Sequence, residues 1–189
     1  MEPRFFTADE HAVVQAAADV VIPPLDDHPG GGALGVADFV DGLLSAFESD
    51  PPRIFAGGPV SGRHGGEAGF DTFLPLGRHE ALAWRTRIEG SIGIPERERN
   101  GPTRGWQLIY REGIAALGDD FVDSGADEQL RRLRAQPELL RIFHPHACQG
   151  AYGAPEYGGN RGLGGWRAIE YEGDVQPRGY TDEEVSGRA

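Results

Sequence analysis

A chain of 189 residues with a formal charge of −12 argues against binding to nucleic acid through phosphate neutralisation and against attraction to an anionic membrane surface, since both need concentrated positive charge. The length suits one domain, or one domain with an extended tail, and the 29 glycines and 14 prolines point to helices separated by irregular segments. All 18 basic residues are arginine, which rules out a lysine Schiff base, a lysine general base and a P-loop lysine; the single cysteine, Cys148, leaves no internal disulfide.

The chain opens Met-Glu-Pro-Arg-Phe-Phe, without an apolar run of signal-peptide length or a twin arginine. No stretch approaches the ~18 apolar residues of a membrane span. The expected location is cytoplasmic, with export as part of a complex as the alternative, and no direct membrane insertion is expected. Thr7-Ala8-Asp9-Glu10 has the form of a capping box. It predicts a helix from Ala8 to about Ile22 that Pro23-Pro24 stops. Val36, Phe39, Val40, Leu43, Leu44 and Phe47 recur at helical spacing and predict an amphipathic helix that ends near Asp50-Pro51-Pro52. Residues 57–72 read as a long polar loop. A short helix follows over His79 to Glu89, with Ala81, Trp84 and Ile88 inward. A further helix runs from about Thr103 to Leu117 on Trp106, Ile109, Tyr110, Gly113, Ile114 and Leu117, where Gly113 predicts a closely packed neighbour. Asp127–Ala135 and 137–149 supply two more, the second with Pro137 at its start, where proline is tolerated.

From residue 150 the chain becomes rich in glycine and aromatics and loses its helical period. The predicted fold is therefore mostly α: an irregular domain of about five or six helices with long loops over 1–149, then an extended Gly/aromatic-rich C-terminal arm over 150–189.

Three patterns invite a chemical reading. Gly30-Gly31-Gly32-Ala33-Leu34-Gly35 matches Gly-x-Gly-x-x-Gly, but Pro-Pro-Leu-Asp-Asp-His-Pro stands where a buried strand must precede it. A flexible connection between helices is the reading, and no cofactor is expected in this chain. His144, His146 and Cys148 alternate in sequence, and on a helix they spread around the axis and cannot meet at one ion. They are the centre of one alternative, a stand-alone metal-dependent enzyme. His79-Glu80 lacks the second histidine of a zinc-protease helix, with Ala83 in its place. There is no Gly-x-Ser-x-Gly, and no catalytic residue is assigned.

One passage is specific: Ala154-Pro155-Glu156-Tyr157-Gly158-Gly159-Asn160-Arg161-Gly162-Leu163-Gly164-Gly165-Trp166-Arg167-Ala168-Ile169-Glu170-Tyr171-Glu172-Gly173. It resembles the C-terminal signature of the gluconate 2-dehydrogenase subunit 3 family, a Pro-x-Tyr-Gly-Gly-Asn motif followed by Gly-Trp and an aliphatic–aromatic stretch. Phe6-Thr7-Ala8-Asp9-Glu10, Ala18-Asp19-Val20-Val21-Ile22-Pro23, the segment from Gly35 to Asp41 and the segment from Tyr110 to Leu117 are similar to further blocks of that family, in order. The resemblance implies a non-catalytic small subunit that folds, stabilises or helps export a large FAD-containing subunit of the glucose-methanol-choline oxidoreductase class. It also implies a cytochrome c subunit in some complexes. The chain departs from many such subunits in lacking a twin-arginine start.

The arm fits a partner role on physical grounds too, because aromatic residues are enriched in interface cores and glycine allows close approach. The expected partner-binding residues are Pro155, Glu156, Tyr157, Gly158, Gly159, Asn160, Arg161, Gly165, Trp166 and Tyr171. Folding of this turn onto its own helices is compatible with that role. A carbohydrate-binding module built on the same aromatics is a further alternative.

Overall fold

The computed structural model describes residues 2–49, 52, 54 and 76–171. Among the described residues there are eight α-helices and no strand. Helix α1 (Ala8–Val21) starts at the predicted box: Glu10 N donates to Thr7 Oγ1 at 3.2 Å and Thr7 N donates to Glu10 Oε2 at 2.8 Å. Glu10 also meets Arg111, whose guanidinium reaches the Phe5 carbonyl. The segment before α1 is tied down by Asp41, a buried carboxylate that accepts from the amides of Arg4, Phe5 and Phe6 at 2.8, 3.0 and 2.9 Å.

Helix α2 (Gly30–Ala33) occupies the glycine run expected as a flexible connection. It lies hard against α1: a Cβ on Gly31 would stand 2.5 Å from the Ala18 carbonyl oxygen, and Gly32 N donates to Asp19 Oδ1 at 2.8 Å. The glycines serve helix contact rather than flexibility, and their faces are taken up by α1.

Helix α3 (Val36–Leu44) continues into a 3₁₀ turn, Ala46–Glu48, and buries Val36, Phe39, Val40 and Leu44 as its spacing predicts. The loop expected over 57–72 lies outside the described residues. Helix α4 (Arg78–Ile88) buries Ile88 and leaves Trp84 half-buried. Helices α5 (Trp106–Leu117), α6 (Ala126–Arg134) and α7 (Pro137–Tyr152) complete the bundle. Helices α1, α3, α5, α6 and α7 enclose one core, with Tyr110, Phe121, Phe143 and Leu133 among its most deeply buried side chains. The neighbour predicted at Gly113 is Leu139 of α7, whose Cβ would stand 2.8 Å from a Cβ placed there.

The mostly α fold is as expected, with two short helices, α2 and α8 (Gly164–Ala168), too brief and glycine-rich to show a period. The boundary at 150 differs. Helix α7 runs through it to Tyr152, because Gly150 is seated against the Phe39 ring, 3.1 Å from where its Cβ would be. Beyond it the described part of the arm is not extended. It winds through 3₁₀ turns at Pro155–Tyr157 and Arg161–Leu163 into α8, and it lies on its own helices. Residues 172–189 of the expected arm lie outside the described residues.

Candidate functional site

The C-terminal segment is fastened to the end of α7. The last carbonyls of a helix lack intrahelical partners, and here the segment supplies them. Asn160 N donates to the Gly150 carbonyl at 2.7 Å, Asn160 Nδ2 to the Gly153 carbonyl at 2.9 Å, and Trp166 Nε1 to the Tyr152 carbonyl at 2.7 Å. Contact this close requires glycine. A Cβ on Gly159 would fall 2.0 Å from the Gly150 oxygen, and one on Gly165 would fall 1.9 Å from the Ala151 oxygen. On the other side Arg161 N donates to the Leu34 carbonyl at 3.1 Å and its guanidinium pairs with Asp38, which also meets His11 at 3.1 Å.

The segment, α3, α4, α5 and α7 together frame a groove of about 1180 Å³. Among the described residues its walls carry Phe39, Trp84, Trp106, Tyr152, Tyr157, Trp166, Ile169 and Tyr171, with Arg4, Arg87 and Arg161 also in its lining. Trp84 and Trp106 meet edge to face at 6.2 Å, and Trp166 and Tyr171 at 5.1 Å. Ile169 and Tyr171 are exposed, at 53% and 46%.

The ten residues expected to bind a partner therefore divide. Tyr157, Gly158, Arg161, Trp166 and Tyr171 line the groove. Pro155 and Glu156 belong to the turn that brings Tyr157 there. Gly159, Asn160 and Gly165 are buried inside the chain and hold the segment in shape. The sequence reading missed Trp84, Trp106 and Tyr152. The two tryptophans carry helical spacing, which points them inward, and half-burial is not a signal that spacing conveys.

His146 forms part of the groove lining and is 4% exposed. Its Nδ1 stands 3.0 Å from Tyr110 Oη, and its ring lies 4.6 Å from that of Trp106. Burial pushes the imidazole down to about 4, so at neutral pH the ring is uncharged and its Nδ1 shares one hydrogen bond with the Tyr110 hydroxyl. Burial also pushes the Tyr110 phenol well above its usual range. His144 stands exposed on another side of α7, and Cys148, half-buried with its thiol raised by burial, does not join them. The helix separates the three side chains as its geometry requires. Among the described residues no cluster of three or more His, Cys, Asp or Glu is placed to hold a metal, and no helix is long and apolar enough to cross a membrane.

The sequence matches the family model for gluconate 2-dehydrogenase subunit 3 over residues 8–173, from the first residue of α1 through the whole C-terminal signature. The chain belongs to the gluconate 2-dehydrogenase subunit 3 family. No curated protein sequence and no solved structure matches it. The family name is that of a subunit in a multi-subunit dehydrogenase complex. In this member of the gluconate 2-dehydrogenase subunit 3 family, the signature is used twice over. Its glycines and Asn160 close the end of α7, and its aromatics form part of the groove wall.

Proposed function

We propose that the chain is a non-catalytic small subunit that binds and stabilises a large FAD-carrying flavoprotein of the glucose-methanol-choline class. The complex oxidises a sugar, sugar acid or related alcohol, and FAD belongs to the large subunit. The observation that carries this reading is the aromatic groove whose wall is built by the signature segment. A groove with aromatic walls and arginine in its lining has the composition of an interface core, and exposed apolar patches of this kind mark interaction sites. The His146 ring at the groove wall is nearly closed off and bonded to the buried Tyr110, and His144 and Cys148 diverge from it, which favours a binding role over a catalytic one for this chain.

The test is co-expression. With this chain present, the large subunit is expected to be soluble, loaded with flavin and recovered in a stable complex; without it, yield and flavin content fall. A large subunit that is equally soluble, flavin-loaded and active alone overturns the stabilising role.

A further inference from the structure

We infer that Asn160 is a positioning residue: it holds the C-terminal segment as a preformed docking face in the free chain, before any partner is bound. The inference deepens the small-subunit reading and rests on it for the identity of the partner.

Asn160 sits at φ 46°, ψ 46°, in the left-handed region that asparagine tolerates better than most residues, and it is fully buried. An amide side chain offers a donor and an acceptor on one rigid plane, and both are used across the junction. Nδ2 donates to Gly153 at the end of α7, and Oδ1 accepts from Gly165 N at 2.9 Å, in the first turn of α8. The Asn160 amide adds a third bond, to Gly150. One residue therefore fixes the direction in which the chain leaves α7 and enters α8. Only asparagine and the longer glutamine carry the two as the N–H and C=O of one planar side-chain amide.

What this fixes is apolar surface. Leu163, itself in the left-handed region at φ 59°, is 41% exposed, Ile169 53% and Tyr171 46%. Left-handed backbone is unfavourable for leucine, and it persists here because the bonds on either side over-determine it. A face held this way loses little conformational freedom on binding, and preorganisation of that kind strengthens association without adding a contact. The expected mode is thus rigid docking of a formed surface, not folding of the segment upon the partner.

The experiment uses the full chain, alone and with the large flavoprotein, and reads amide hydrogen exchange and affinity. In the free wild-type chain the amides of Asn160 and Gly165 are expected to be protected. Asn160→Gly keeps the backbone conformation and removes both side-chain bonds. It is expected to lower protection over 153–168 by about tenfold to a hundredfold, the worth of two buried hydrogen bonds, and to weaken capture of the flavoprotein by about the same factor. Amides of α1 and α5 should be unchanged. Gly159→Ala, which drives a Cβ into the Gly150 oxygen that the Asn160 backbone amide bonds, should reproduce the effect while leaving the Asn160 side chain in place. Wild-type amides that exchange freely in the isolated chain and are protected in the complex alone overturn the preformed face. An Asn160→Gly chain with normal protection and capture overturns the role of Asn160. A protected wild-type segment with no capture of the flavoprotein overturns the partner reading and the docking role together, while the hold on α7 stands.

Discussion

Protonating His146 places a positive charge in a buried ring stack, and this makes stability depend on pH in a calculable way. In the folded chain the imidazole titrates at about 4, pushed down by burial from 6.5. The unfolded chain therefore binds a proton first as pH falls, so the contribution of neutral His146 is fully present above about 6.5 and is lost through the window down to 4. At about 1.4 kcal/mol for each pH unit, roughly 2 kcal/mol is lost by pH 5 and about 3 kcal/mol by pH 4. This is a large share of the ~5–15 kcal/mol by which domains are stable. Carboxylates whose pKa values are lowered, among them Glu10, Asp120 and Glu128, also lose stability in acid, so the comparison must be with a variant that lacks the imidazole alone. His146→Gln keeps an acceptor for Tyr110 and does not titrate. Urea unfolding followed by tryptophan fluorescence suits the purpose, since Trp106 touches the His146 ring. Between pH 7 and pH 5 the unfolding free energy of wild type should fall by about 2 kcal/mol more than that of the variant. Parallel pH curves for the two proteins would refute the burial argument.

Other contacts give sharper local tests. Gly113→Ala drives a Cβ to 2.8 Å from Leu139 and should force α5 off α7, at about 1–3 kcal/mol, read as a lowered thermal midpoint. Asp41→Ala strands three amides of residues 4–6; exchange at those amides should rise while α7 stays protected, and global stability should fall by about 2–3 kcal/mol. Thr7→Ala removes one half of the α1 box and should cost about 1 kcal/mol, measured by urea titration.

The helices that read clearly in the sequence are those whose own residues carry the instruction. Thr7 and Glu10 announce α1, the apolar spacing of α3 and α5 predicts their buried faces, and Gly113 signals a neighbour before that neighbour is known. The rest depends on distant partners. Gly150 looks like a helix terminator until Phe39 is seen across from it, and the run at Gly30 looks flexible until Ala18 is found against it. In the C-terminal segment, the motif was legible but its division of labour was not. Asn160 and Tyr157 look equally available as letters, whereas folding buries the first against α7 and turns the second towards the groove. Trp84 and Trp106 belong to the groove for the same reason: helical spacing specifies a face, and what lies opposite that face is set by the chain as a whole.

Whether the exposed side chains of the groove wall carry the partner contact is tested most directly by the affinity of the large flavoprotein for the Ile169→Ser, Tyr171→Ser double variant. Both side chains are exposed, so the thermal midpoint should hold within a few degrees of wild type. Affinity should fall by about tenfold or more, as expected when central apolar contacts of an interface are removed. Unchanged affinity with an unchanged fold would place the flavoprotein elsewhere and contradict the central claim.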